Sequence, residues 1–358
     1  MSQTNLPAFA CRANQEVIQL LYDLKISIGL STYQAGKIIL LSADENGQLV
    51  QLPRNFKKPM GIAIHESKKK IAIATLNNIL VFKNVPELNN GYNPQQRTAY
   101  DAMYVPRVQY ITGPADIHDL SFIHEDLVAV NTLFSCIVKI NSDYNFEPIW
   151  MPSFIDRIAP EDRCHLNGIA CHKNEINYVS AFNAGNTAQS WRKNIKESGI
   201  IIDYKTHEIV HDKLSMPHSP RMHNNQLYFL QSGNGSLCKS SNNNESYDIL
   251  YQGNSFVRGM SFYKNYAFIG LSKLRESSSS FASLAHNGFA NTAGIVVIDI
   301  DTGNIIGKIE YLNSVDEIFD VCMLEHTRKP NILNLEKEES YRAMETPFGS
   351  WWAIDKDN

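Results

Sequence analysis

The sequence predicts an all-β fold, a six-bladed β-propeller whose N- and C-terminal strands share one blade, with a short N-terminal helix. Two observations lead there. First, a phrase recurs in fixed order: a polar or charged cluster runs into a short apolar strand, and a second strand follows a few residues later. The copies begin at Lys58, Asp116, His165, His218, Phe256 and Glu317. Repetition at roughly 40–60 residues is the mark of a propeller or solenoid. Second, the strand inventory does not close without both ends of the chain. The last copy, Glu317–Leu324, has no clear set of three strands after it, whereas three N-terminal strands, at 26–32, 37–42 and 49–53, have no innermost partner. Joining them completes the sixth blade and protects the sheet edges of the ring.

The elements follow from local pattern. Residues 1–25 form a polar tail and a helix, in which Val17, Leu20, Leu21 and Leu24 share one face and Asn14 is the N-cap candidate. The propeller occupies 26–328. Its second blade reads Gly61–Ile64, Ile71–Thr75 and Ile79–Phe82, and its third Leu120–Ile123, Leu127–Asn131 and Cys136–Ile140. Two segments, Gly199–Val210 and Gly294–Ile306, align as hairpins and are expected to be the outer strands of two blades. Asp299, Asp301 and Gly303 superficially suggest a calcium loop but lack its later ligands, so a hairpin turn is expected. Long segments at 86–104, 183–198 and 276–292 interrupt the blades, and such loops are often lids or binding elements. The one at 183–198 carries Trp191 and Arg192, an aromatic–cation pair suited to recognition. The tail 329–358 ends in Phe348, Trp351 and Trp352, which are expected to dock on the propeller.

Bulk properties narrow the function. The chain has 358 residues, 43% hydrophobic and 20% charged, with a net charge of −4. There is no clustered basic excess, so neither nucleic acid nor a membrane surface is the expected partner; Lys68–Lys70 is read as a hairpin tip. No apolar run approaches the ~18 residues of a membrane span. The first residues lack the basic and apolar regions of a secretory signal. Six cysteines without CxxC pairing read as free, mostly buried thiols. A cytoplasmic protein with a small-molecule ligand is the expectation.

The blade connections say where chemistry gathers. Loops entering the innermost strands and loops joining second to third strands open on one face. That brings together Asp116, His118, Asp119, His165, Asn167, His218, Arg221, Arg258, Glu317 and Asp320 from the first set. The second set supplies Thr32, Tyr33, Gln34, Asn131, Thr132, Asn183, Ser232, Ser272 and Arg275 with Glu276. Three readings compete. His118, His165, His218 and Glu317 could hold one divalent zinc, manganese or iron ion. Glu317, Asp320, Asn131, Asn167 and Asn183 could form a calcium cage. Or no metal binds, and the histidines act with their Asp and Arg neighbours as general acids and bases or hold a polar ligand. No nucleophile elbow, phosphate loop or HExxH motif is present.

Several stretches resemble an uncharacterised bacterial family, TIGR03032 or DUF4915: Ser31–Lys37, Asp116–Asp119, Asn131–Cys136, Pro160–Gly168, Ser215–Arg221, Gly270–Glu276 and Glu317–Asp320. The resemblance spans about 10–330. It implies no activity, but it adds Asp162 and Arg163 to the site and gives weight to Tyr33 and Gln34. The expected protein is an enzyme, a hydrolase, lyase or isomerase acting on a small polar or anionic metabolite. His118, Asp119, His165 and Tyr33 are the catalytic candidates. Arg163, Asn167, Arg221, Arg258, Asn131, Gln34, Trp191 and Arg275 are the substrate-binding candidates. The alternative is a non-catalytic ligand-binding or protein-interaction propeller.

Overall fold

A computed structural model describes residues 6–92, 100–274 and 290–353. Six antiparallel sheets form the ring of a six-bladed propeller. Blade 1 is the closure: its innermost strand is Asp320–Leu324, followed by Ser27–Thr32, Lys37–Ala43 and Leu49–Asn55. Ser27 faces Leu324 and Ser31 faces Asp320 across the seam. Blade 2 contains Ile62–Ile64, Lys70–Ala74, Asn78–Asn84 and Ala102–Ile111; blade 3, Ile117–Ile123, Asp126–Asn131, Cys136–Ile140 and Glu147–Trp150. Blade 4 contains Leu166–His172, Glu175–Ala181, Gly199–Asp203 and Ile209–Leu214; blade 5, Pro217–His223, Gln226–Gln231, Ser236–Ser240 and Tyr247–Gln252. Blade 6 contains Phe256–Tyr263, Tyr266–Ser272, Ala293–Asp299 and Ile305–Tyr311. The two aligned hairpins are thus the outer strands of blades 4 and 6.

Both chain ends add to outer edges. Cys11–Ala13 pairs with the last strand of blade 6, and Pro330–Ile332 runs parallel to the last strand of blade 2. The helix Gln15–Leu24 lies over the closure. Val17, Ile18 and Leu21 are buried in one cluster with Ile39 of blade 1 and Val297 and Ile309 of blade 6, each such side chain contributing about 1.5–3 kcal/mol. Asn14 differs from its expected role. Its side chain makes no cap bond to the helix; its Oδ1 instead accepts the amide of Lys308, fastening the helix start to blade 6. The hairpin Ala343–Thr346 and Gly349–Trp352 packs beside blade 2, where Trp352 donates to the carbonyl of Leu88 and contacts Tyr92. Phe348 is 94% exposed and Trp351 52%, so of the three tail aromatics Trp352 is the one held.

Asp299 is a turn residue: its Oδ1 accepts the amides of Asp301 and Thr302. The innermost strands approach one another so closely that the residue three positions after Lys58, Asp116, His165, Met216, Phe256 and Glu317 is small or is a bonded carboxylate: Gly61, Asp119, Gly168, Ser219, Gly259 and Asp320. A Cβ on Gly259 would sit 2.7 Å from Cα of Asp320, and its φ of 76° lies in the left-handed region.

At this level Asp119, Asp320 and Arg221 form a hub in the channel. Arg221 donates to both oxygens of Asp119, at 2.8 and 3.3 Å, and to Asp320 at 3.5 Å. Each carboxylate also accepts one amide from its own strand and one from the next blade: Asp119 takes Leu120 and Ile169, Asp320 takes Val321 and Ile62. Ser219 does the same for blade 6 by accepting the amide of Gly259.

Gly259→Ala is expected to lower the unfolding free energy by about 2 kcal/mol or more through left-handed strain and collision with blade 1, read as a reduced denaturant midpoint. Arg221→Met leaves two buried carboxylates facing each other and is expected to cost about 3 kcal/mol; an unchanged midpoint would show that the hub carries little of the ring's stability.

Candidate functional site

The mouth opposite the strand 1–2 turns holds a cavity of 380 Å³. Its geometry begins with backbone conformation. Lys58, Asp116, His165 and Met216 all have φ near 50°, so blades 2 to 5 enter their innermost strands through a left-handed residue, a conformation that costs a non-glycine residue about 1–2 kcal/mol. Two residues later comes one ring of positions: Met60, His118, Asn167 and His218, continued by Arg258 and Phe319. His118, His218, Arg258 and Phe319 line the cavity. In blade 4 Asn167 turns away, accepting from Ser180 Oγ and donating to the carbonyl of His165. There His165 itself lines the cavity.

His165 is held on three sides. Its Nδ1 lies 3.0 and 3.1 Å from the two carboxylate oxygens of Asp162. Its ring packs against Trp191 at 4.3 Å and Phe182 at 4.6 Å between centroids. Trp191 comes from the 183–198 insertion, is buried, and donates its indole N–H to Asp162 at 2.9 Å. The insertion thereby fixes both members of an Asp–His dyad. Arg192 lies over the Trp191 ring at 4.2 Å.

His118 meets His165 edge-on, with centroids 5.1 Å apart, and its Nδ1 bonds the carbonyl of Asp116 at 3.1 Å. Burial lowers its pKa to about 4; Asp116 opposes this, while Arg258 and His165 reinforce it. His218 bonds the carbonyl of Met216 and Ser232 Oγ through Nδ1, at 3.1 and 2.6 Å. Burial, and then the charge of Arg258, hold its pKa well below 6.5. Both rings are therefore neutral at pH 7. Arg258 stacks over Phe319 at 3.4 Å and pairs with Glu317 at 3.9 Å. Tyr33 stacks on Phe319 at 6.0 Å, with Lys58 over its ring.

The structure thus brings Tyr33, His118, His165, His218, Trp191, Arg258 and Glu317 to one cavity. It places the other candidates elsewhere. Asp119 belongs to the central hub, and Arg221 lines a separate cavity of 230 Å³ at the opposite mouth; both follow the lead-in by enough residues to lie below the first ring. Burial raises the Asp320 carboxyl to about 7, with Arg221 opposing and Asp119 adding to the rise. Arg163 is buried and committed to Asp156, Glu161 and Asn186, which anchors the insertion. Asn131 Oδ1 caps the following turn through the amide of Phe134. Gln34 is exposed beside the mouth. Arg275 and Glu276 lie outside the described residues.

His118, His165, His218 and Glu317 do not form the expected metal centre. Among the described residues, no three His, Cys, Asp or Glu side chains are grouped so as to hold a metal ion. Phe182 packs against both His165 and His218, and Glu317 is paired with Arg258. The aromatic wall of Phe182, Phe256 and Phe319 was not singled out from the sequence, although Phe256 and Phe319 stand inside the repeated phrase.

The fold and cavity define a six-bladed propeller with a small-molecule-sized site at one mouth of its channel. The chain belongs to the family described as "Domain of unknown function (DUF4915)", whose profile matches residues 15–333. No curated protein matches it. Among solved structures it is similar to a chain in "Crystal structure of Nidogen/Laminin Complex", with a TM-score of 0.55 and 10% identity over 84% of this chain and 99% of that one. At that identity the likeness concerns the fold. Among the described residues no helix is long and apolar enough to cross a membrane.

Two neutral imidazoles give a pH signature. The unfolded chain takes up protons at His118 and His218 below about pH 6.5, while folded His118 does so only near pH 4. Their contribution to stability is expected to fall as pH drops through that window. NMR titration should find neither ring protonating between pH 6 and 7.5; a midpoint near 6.5 for both would contradict their burial.

Proposed function

We propose that the cavity binds a small polar metabolite and acts on it by general acid–base chemistry, as a hydrolase, lyase or isomerase. The observation that carries this reading is the Asp162–His165 dyad. A carboxylate bonded to Nδ1 fixes that nitrogen as the N–H donor and leaves the Nε2 lone pair as a base. Its ring is clamped between aromatic side chains, which lowers the cost of positioning at the moment of reaction. His165 takes the proton, Asp162 orients it and stabilises the resulting imidazolium, and Trp191 holds Asp162. Arg258 supplies positive charge where an oxygen of the substrate gains electrons. His118 and Tyr33 border the same space and contact the substrate. A cavity of 380 Å³ is at the small end of ligand sites, which favours a metabolite over a polymer. Six free thiols accord with a reducing compartment.

The test is a metabolite screen by thermal shift, followed by NMR detection of turnover for each ligand found. His165→Gln is expected to lower kcat about 10²–10⁴-fold while ligand affinity changes little. Asp162→Asn should produce a similar loss, because an amide donor favours the other imidazole tautomer. A ligand that binds the cavity and is never turned over would leave a binding propeller and remove the catalytic reading.

A further inference from the structure

Two imidazoles in this cavity, His118 and His218, are hydrogen-bond acceptors at their open nitrogen. A carbonyl oxygen only accepts, so Nδ1 of His118, 3.1 Å from the carbonyl of Asp116, carries the proton. The ring is neutral, so its Nε2 carries a lone pair. In His218, Nδ1 bonds the carbonyl of Met216 and also Ser232 Oγ, whose own proton goes to the carbonyl of Val257 at 2.5 Å. Its Nε2 is likewise a lone pair. His165, beside His118, is bonded through Nδ1 to the carboxylate of Asp162. Among the described residues neither of the two Nε2 atoms, of His118 and His218, has a hydrogen-bond donor. A ligand seated here must bring the donors, since an acceptor facing an acceptor is left unsatisfied at a cost of about 1–3 kcal/mol.

The remaining wall limits what carries those donors. Phe182 and Phe256 pack edge-on to His218 at 5.1 and 5.9 Å, and Phe319 packs on His118 at 5.5 Å, so much of the surface is apolar. Charge on the lining is balanced: Arg192, Arg258 and Lys273 against Asp116, Asp162 and Glu317. An ammonium donor would place a like charge near Arg258, which already disfavours protonation of His118 and His218. A neutral molecule with apolar faces and hydroxyl edges fits both constraints.

We propose that the cavity takes a polyol of monosaccharide size, a sugar or cyclitol ring, whose hydroxyl protons are donated to Nε2 of His118 and His218 while its C–H faces lie on the phenylalanines. The proposal rests on the cavity being a small-molecule site and needs no turnover.

Calorimetry with the full chain tests it, using glucose, galactose, myo-inositol and their deoxyfluoro analogues. Fluorine replaces a hydroxyl at nearly constant size, keeps a weak acceptor and removes the donor. At least one polyol is expected to bind with a Kd of about 1 mM or tighter. Fluorination at one or two ring positions should weaken it about 10-fold. In His218→Phe the parent should lose affinity and fluorination at the matching position should cost nothing further. Failure of every polyol to bind, or fluoro analogues that bind as well as their parents, overturns the proposal. A polyol that binds without being converted sinks the catalytic reading alone. Conversion of a donor-poor substrate sinks the polyol alone.

Discussion

Six sheets arranged around an axis must bring six innermost strands close together, and the polar atoms at that junction cannot reach bulk water. The hub of Asp119, Arg221 and Asp320 is how this chain meets that constraint. A guanidinium from blade 5 binds carboxylates from blades 3 and 1, and it also donates to the carbonyl of Ile169 in blade 4. The carboxylates bind amides of blades 4 and 2. Ser219, two residues before Arg221, reaches blade 6. Few side chains therefore touch all six blades. A buried pair of carboxylates with a single cation is not a cheap way to gain stability, since desolvation offsets much of the attraction. What it specifies is register, because each oxygen has one amide to meet.

A second tier repeats the idea with hydroxyls. Ser31 donates to the carbonyl of Met60, Thr132 to that of Leu166, Ser232 to that of Val257 and Ser272 to that of Ile318. Each joins the end of a second strand to the lead-in of the neighbouring blade's innermost strand. The mouth is thus built on a collar of such bonds, one of which, Thr132 to Leu166, fixes the residue after the left-handed His165. That collar is what allows imidazoles from separate blades to stand in fixed relation, a condition that acid–base chemistry and selective binding share.

The ring was legible because it depends on features that a chain must spell out locally: short apolar strands, turn residues and the count of innermost strands. The closing strand could be assigned from an unpaired set of three at the other end. The face on which polar residues collect was also legible, since blade connectivity settles it. Depth was not. His118 and Asp119 are adjacent, yet one lines the cavity and the other belongs to the hub, because successive residues of an innermost strand point differently and lie at different levels of the channel. Arg163 and Arg258 look equivalent as letters, but Asp156 and Glu161 bury the first within the wall. Trp191 was recognisable as an unusual residue in an insertion; its bond to Asp162 depends on how the loop folds back, which no local pattern encodes.

The seam in blade 1 has a consequence for synthesis. Ser31 and the amide of Asp320, which it bonds, are 289 residues apart. At a translation rate of about 5–20 residues per second, the strand Ser27–Thr32 waits roughly 15–60 s for its inner neighbour. During that interval it presents an unpaired edge carrying Ile28 and Leu30, the kind of surface that recruits foreign strands. The nascent helix, whose buried face also needs late residues such as Val297 and Ile309, shares the delay. The chain's period of greatest exposure to misassembly is therefore set by the ribosome, and the ring is a structure that becomes safe only when its last strand arrives.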